Sequence, residues 1–227
     1  MYKEVLMSFS NWLETHITLH ESDNRQEEKA NAITHLIGAI LSLGACIWVL
    51  TRISSLSKPS MAAGAMVFVL SMFLLYSASS LYHYLPKGNA KRLCRVFDHA
   101  NIYILIAGTY TPMLLYVNSS IANTILLLVW GITIVGIIFT LVFWGRFGII
   151  HVMIYLLMGW MIVLFWGDII PYLPSGLLTW ILAGGMFYTV GVVFYAMKRL
   201  PYSHAIWHMF VLGGTACHFL GFVIHLL

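Results

Sequence analysis

His204 and His208 stand four residues apart in "PYSHAIWHMF", at the head of the apolar run 201–227. Ser79 and His83 repeat that spacing in "SSLYHYLP", and Asp98 opens "DHANIYILIAG". Residues i and i+4 share one face of a helix, a turn apart, so each pair can address a common centre. Three neutral imidazoles with an open fourth position form a zinc arrangement suited to catalysis, with Zn–N near ~2.0–2.1 Å. Asp98 would bind the metal directly or hold a water at the open position as general base. Ser79 would orient that water, a ligand or a substrate carbonyl.

Each residue alone has an ordinary reading. Histidines at a membrane surface often satisfy a backbone carbonyl or a lipid headgroup, and a Ser in an apolar helix often bonds back to the preceding turn. Asp98 could simply favour a helix N-terminus through the dipole. Convergence is what raises the metal reading, and convergence depends on the elements that carry these residues.

Those elements are membrane spans. Of 227 residues 60% are hydrophobic and 9% are charged, and the mean hydropathy is +0.87; a soluble domain carries about 25% charged residues. Seven apolar runs are long enough to cross a ~30 Å bilayer core, near 31–50, 61–82, 99–117, 121–143, 149–167, 175–197 and 204–227. Breaks rich in Pro, Gly, Ser and charge separate them. The expected fold is an all-α, seven-transmembrane helix bundle (27–227) preceded by a polar arm (1–26). That arm lacks the apolar stretch and cleavage site of a signal peptide, so the first span serves for insertion. Cys46, Cys94 and Cys217 have no C-x-x-C spacing and read as packing residues.

Charge orients the bundle. The arm and the loops after spans 2, 4 and 6 hold Lys3, Arg25, Lys29, Lys87, Lys91, Arg92, Arg95, Arg146, Lys198 and Arg199, against Arg52 and Lys58 on the other side. This predicts a cytoplasmic N-terminus and an outside C-terminus, the reverse of a G-protein-coupled receptor. The net charge of +4 is explained by this bias, and nucleic acid is not an expected partner. In this orientation His83, Asp98, His204 and His208, from three spans, share one depth near the cytoplasmic face. Buried ionisable groups of this kind face a cavity or a partner. His99 points about 100° from Asp98 and reads as a loop-facing neighbour. His151 is a weaker candidate for supporting the site. His218 is expected to hydrogen-bond within the bundle, His225 and Asp168 to lie at the outer end, and Pro112 to kink its helix.

With these residues placed, the chain resembles the bacterial hemolysin III family, a branch of the progestin and adipoQ receptors within a superfamily of membrane-embedded hydrolases. The resemblance covers about residues 27–227 and rests on "EEKANAITHLIG", "SSLYHYLP", "FDHANIYILIAGTYTP" and "KRLPYSHAIWHMFVLGGTACHF". It implies seven helices with the N-terminus inside. It also implies Zn2+ on His83, His204 and His208, with Asp98 nearby, often through water. The first motif places Glu28, Asn31 and His35 at the inner end of span 1, where they could support the site; capping and packing explain them equally.

Three functions follow as expectations for a multi-pass protein of the bacterial inner membrane. The leading one is a zinc-dependent hydrolase of a lipid amide or ester, ceramidase-like, serving membrane lipid homeostasis with a fatty-acyl substrate or ligand. A second is a sensor of membrane state with a structural zinc. The third is a hemolysin III-type pore or channel. A relay of polar groups across the bilayer would favour the third, and the outer half offers few: His218, Asp168 and His225.

Overall fold

The computed structural model describes residues 2–19, 24–53, 59–146 and 148–227, with side chains from residue 8 onward. Lys58 and the side chain of Lys3 lie outside that description. All regular structure among the described residues is helical. A first helix, α1 (Tyr2–His16), precedes seven helical stretches long and apolar enough to span a membrane. These are α2 (Arg25–Arg52), α3 (Pro59–Tyr84), α4 (Asn89–Val117), α5 (Ser120–Val142), a broken span over Gly148–Tyr172, α8 (Leu177–Ala196) and α9 (Ser203–His225). Helix α2 packs on α3 and α9, α3 on α4, α4 on α5, and α8 on α9. Glycines allow the close approaches: Gly64 lies against the Pro112 backbone, and a side chain at Gly108 would collide with Ser71.

Polarity is distributed as lipid requires. Ile40, Leu41, Leu127, Ile149 and Leu164 face outward, while Ser42, Ser79, Thr133, Thr140, His208 and Thr215 are buried. In the bundle interior the Thr215 hydroxyl meets those of Tyr76 and Tyr188, both at 2.7 Å, and donates to the Val211 carbonyl at 2.9 Å. That hub ties α3, α8 and α9 with every hydroxyl engaged.

Three boundaries depart from the sequence reading. Helix α4 starts at Asn89, so that Lys91, Arg92 and Arg95 all fall in its first turns. Its early turns tolerate charge because partners receive it. Lys91 Nζ donates to Glu28 Oε2 (2.9 Å) and the Leu85 carbonyl (3.2 Å), Arg92 Nε donates to the Ile17 carbonyl (3.2 Å), and Arg95 donates to the Thr18 carbonyl. Asp98 therefore lies well inside α4, and a helix-dipole role for it is set aside. The arm, read only as polar, forms α1, which buries Leu13, with Ile17 buried just beyond its end; full burial of such a side chain stabilises by ~1.5–3 kcal/mol.

The fifth span is not one helix. Helix α6 (Gly148–Gly159) gives way to 3-10 turns (Met161–Phe165), a short α7 (Trp166–Ile169) and a further 3-10 turn. Tyr110 of α4 repairs the break: its hydroxyl donates to the Gly159 carbonyl (2.8 Å) and accepts from the Ile162 N–H (3.0 Å). Tyr110→Phe leaves two backbone groups unpaired at membrane depth, each costing about 1–3 kcal/mol. The variant is expected to melt several degrees lower in detergent than the exposed-site control Tyr172→Phe; equal melting would contradict this role.

Candidate metal centre

Three helix ends meet at the basic end of the bundle. Ser79 and His83 occupy the last turns of α3, and His204 and His208 the first turns of α9. Helix α9 is set in place by Tyr202, a non-glycine residue with φ +58° whose N–H donates to Glu27 Oε1 of α2 (3.2 Å). A left-handed conformation is unfavourable for a side-chain-bearing residue, and here an anionic acceptor compensates for it.

The imidazoles of His83, His204 and His208 form a triangle with centroid separations of 5.0, 5.3 and 4.5 Å. One nitrogen from each lies within 4.8 Å of the others. Nδ1 of two of these rings is engaged by α2. His83 Nδ1 pairs with Glu28 Oε1 at 3.2 Å, and the other oxygen of that carboxylate holds Lys91. His208 Nδ1 lies 3.2 Å from the Asn31 carbonyl and 3.0 Å from Thr34 Oγ1. Both contacts suit a proton on Nδ1, which turns Nε2 into a free lone pair. His83 Nε2 is buried and has no hydrogen-bond partner. Carboxylate and carbonyl partners of this kind orient metal-ligating histidines and raise their basicity.

Tetrahedral nitrogens at zinc-like bond lengths stand about 3.4 Å apart. The three rings are thus within small side-chain rotations of holding a metal ion, and the residues fit one. Unpaired buried atoms concentrate here: Asn31 Oδ1, both His35 nitrogens, Ser79 Oγ and His83 Nε2. Such groups are costly to leave unpaired and mark places where an ion, water or ligand completes the structure.

Comparison with known proteins is decisive on kinship. The family model for "Haemolysin-III related" proteins matches residues 24–219. The chain belongs to that family. It is 42% identical over 195 residues to a protein of Bacillus cereus named "Hemolysin-3", covering 86% of this chain and 89% of that one. It is 38% identical to the "Hemolysin-3 homolog" of Bacillus subtilis (strain 168), over 86% and 92% of the two chains. The human "Monocyte to macrophage differentiation factor" is similar at 26% over 162 residues, 68% of this chain and 67% of that protein. Together with the seven apolar helices, this makes the chain a multi-pass membrane protein.

Asp98 stands outside the convergent nitrogens. Its carboxylate interacts with Ser79, His83 and Arg95, although Ser79 Oγ closes no hydrogen bond of ordinary geometry. Glu28 contacts His83 directly; Asn31 contributes its carbonyl, not its side chain. His35 makes no hydrogen bond and stacks on His208 at 3.5 Å with 12° between planes. His99 lies in α4, with Nδ1 3.0 Å from the Arg95 carbonyl and 3.8 Å from Asp98 Oδ2. His151 lies away from the three rings, against Thr140 (3.3 Å) and Tyr103 (3.5 Å). His218 Nε2 meets the Ile181 carbonyl at 3.2 Å, the expected bond within the bundle. His225 abuts Gly176, Asp168 is exposed, and all three cysteines are free.

Two contributors were not visible in the sequence reading. Thr34 lies within "EEKANAITHLIG" but drew no attention there beside Glu28, Asn31 and His35. Lys91 counted only toward the charge bias, yet it is buried and holds the second oxygen of Glu28. A lysine two residues into a helix, opposite the acidic start of α2, was the available hint. Removing the carboxylate tests this geometry: Glu28→Gln should weaken metal retention by about 10–100-fold in a chelator titration, and unchanged retention would contradict it.

Proposed function

We propose that this centre holds zinc and that the protein hydrolyses an amide or ester bond of a membrane lipid. The observation that supports this most is the pairing of both Nδ1 atoms with groups of α2, which leaves two Nε2 lone pairs for a metal beside a separate carboxylate. A zinc ion bound there would supply Lewis acidity to a carbonyl and lower the pKa of water toward ~7.

The chain's own groups then have distinct tasks. Asp98 accepts a proton from the attacking water and returns it to the leaving amine or alkoxide. Ser79 Oγ–H orients the water or the carbonyl. Glu28, with Lys91 on its far oxygen, holds His83 in one tautomer, and the Asn31 carbonyl and Thr34 do the same for His208. The lipid enters between helices with its head at the basic end and its acyl chain along the bundle. Detergent-solubilised protein supplied with a bacterial lipid extract should release free fatty acid; no release from any lipid fraction would count against the hydrolase.

A second reading has support in the same geometry. The centre joins α2, α3 and α9, as a structural ion in a sensor of membrane state would. Orientation follows the charge bias, with the N-terminus in the cytoplasm and, by its bacterial relatives, the inner membrane as location. A reporter active only outside the cytoplasm should work when fused after Leu227 and fail after Arg199; the reverse would overturn the orientation.

A further inference from the structure

We propose that α1 is seated in the lipid interface at the basic end of the bundle, its Phe9–Trp12 face bedded among the acyl chains and headgroups of that leaflet. This helix precedes the region shared with the family, which begins at residue 24, so its role is not given by kinship.

The other side of α1 is committed to protein. Asn89 Nδ2 donates to Ser10 Oγ (2.6 Å) and Glu14 Oε1 (2.9 Å), two residues one turn apart on α1. His16 Nε2 reaches the Leu141 carbonyl at the end of α5 (3.0 Å). The helix therefore runs across the bundle end, from the start of α4 toward the end of α5. Leu13 and Ile17 are buried beneath it.

One flank of its free face is aromatic, beside the exposed polar residues Ser8, Asn11 and Thr15. Phe9 and Trp12 are 47% and 40% exposed and stack on each other at 6.1 Å, and Trp12 stacks on His16 at 5.1 Å. Phe9 and Leu13 line a recess of about 280 Å³ with Asn89, Ala90 and Leu93 of α4. Leu93 and Phe97, one turn apart on α4, are themselves exposed near the start of that spanning helix. The aromatic side chains of α1 are thus continuous, across the recess, with exposed apolar side chains of a membrane span. Trp and Phe in such a position prefer the boundary between headgroups and chains. Continuity with Leu93 and Phe97, exposed on a helix that spans the membrane, selects bilayer lipid as the occupant over a soluble partner.

The seat has a structural reach. The carbonyls of Ile17 and Thr18, just past α1, receive Arg92 and Arg95. Arg95 is buried between Tyr82 and Trp144 and lies one turn before Asp98. The strap therefore ties the membrane surface to the helical turn that carries the carboxylate.

The test uses the full chain in vesicles of phosphatidylglycerol and phosphatidylethanolamine. The fluorescence of Trp12 is taken as the difference between wild type and Trp12→Phe. Phospholipid brominated near the glycerol end of its chains should reduce that difference about twofold or more, bromination near the methyl end should reduce it less, and aqueous iodide should have little effect. Quenching by iodide without response to brominated lipid would place α1 in water and overturn the proposal. Insensitivity to both quenchers would mean that a second copy of the chain covers the face, and would overturn it equally.

Discussion

His83→Ala, His204→Ala and His208→Ala are each expected to strip the purified protein of most of its zinc, whereas His218→Ala and His225→Ala retain it. Three imidazoles leave little redundancy in a shell of four. His218 already spends Nε2 on the Ile181 carbonyl, and His225 lies against Gly176; both are remote in sequence from the first turns of α9. Metal analysis after dialysis into zinc-free buffer checks this. Loss in the two controls with retention in the three would refute the assigned ligands. His35→Phe is an informative companion. It keeps a flat ring against His208 but removes both nitrogens, so a stacking role predicts near-normal zinc and a ligand role predicts loss.

Asp98→Asn should abolish lipid turnover while leaving most zinc and the fold in place. The amide keeps the shape of the carboxylate but cannot accept a proton, and general-base assistance contributes about 10²–10⁴-fold. Because the Asp98 carboxylate stands apart from the three convergent nitrogens, its loss should cost less metal than any histidine change. Ser79→Ala removes an orienting hydroxyl without touching metal or base and should cost less rate than Asp98→Asn. Fatty-acid release by mass spectrometry, beside zinc content of the same preparations, separates these effects. If wild type and Asp98→Asn release fatty acid equally, the hydrolase gives way to the sensor, for which Asp98→Asn would alter stability and not a rate.

What the sequence made legible follows from what lipid demands. Seven spans are readable because each must bury its own backbone hydrogen bonds in a helix of a minimum length and present an apolar exterior. The i, i+4 spacing of Ser79 with His83 and of His204 with His208 is readable for the same reason. Features decided by distant partners were hidden. Lys91, Arg92 and Arg95 look like loop residues until Glu28 and the carbonyls of Leu85, Ile17 and Thr18 receive them. The fifth span looks uniformly apolar, and its break is stabilised by the Tyr110 hydroxyl of another helix. Thr34 meets His208 across 174 positions of sequence, and no local pattern encodes that contact. The arm was read by its charge, although burial of Leu13 and Ile17 is what docks it.

An intramembrane zinc held by three histidines of two helices is the expectation on which the proposed hydrolase depends. Zinc K-edge X-ray absorption on wild-type protein purified without added metal tests it most directly. The expected spectrum shows about one zinc per chain, a light-atom shell near ~2.0–2.1 Å and outer-shell scattering from three imidazoles. Absence of zinc, a sulfur shell near ~2.3 Å, or an oxygen shell without imidazole scattering would contradict it.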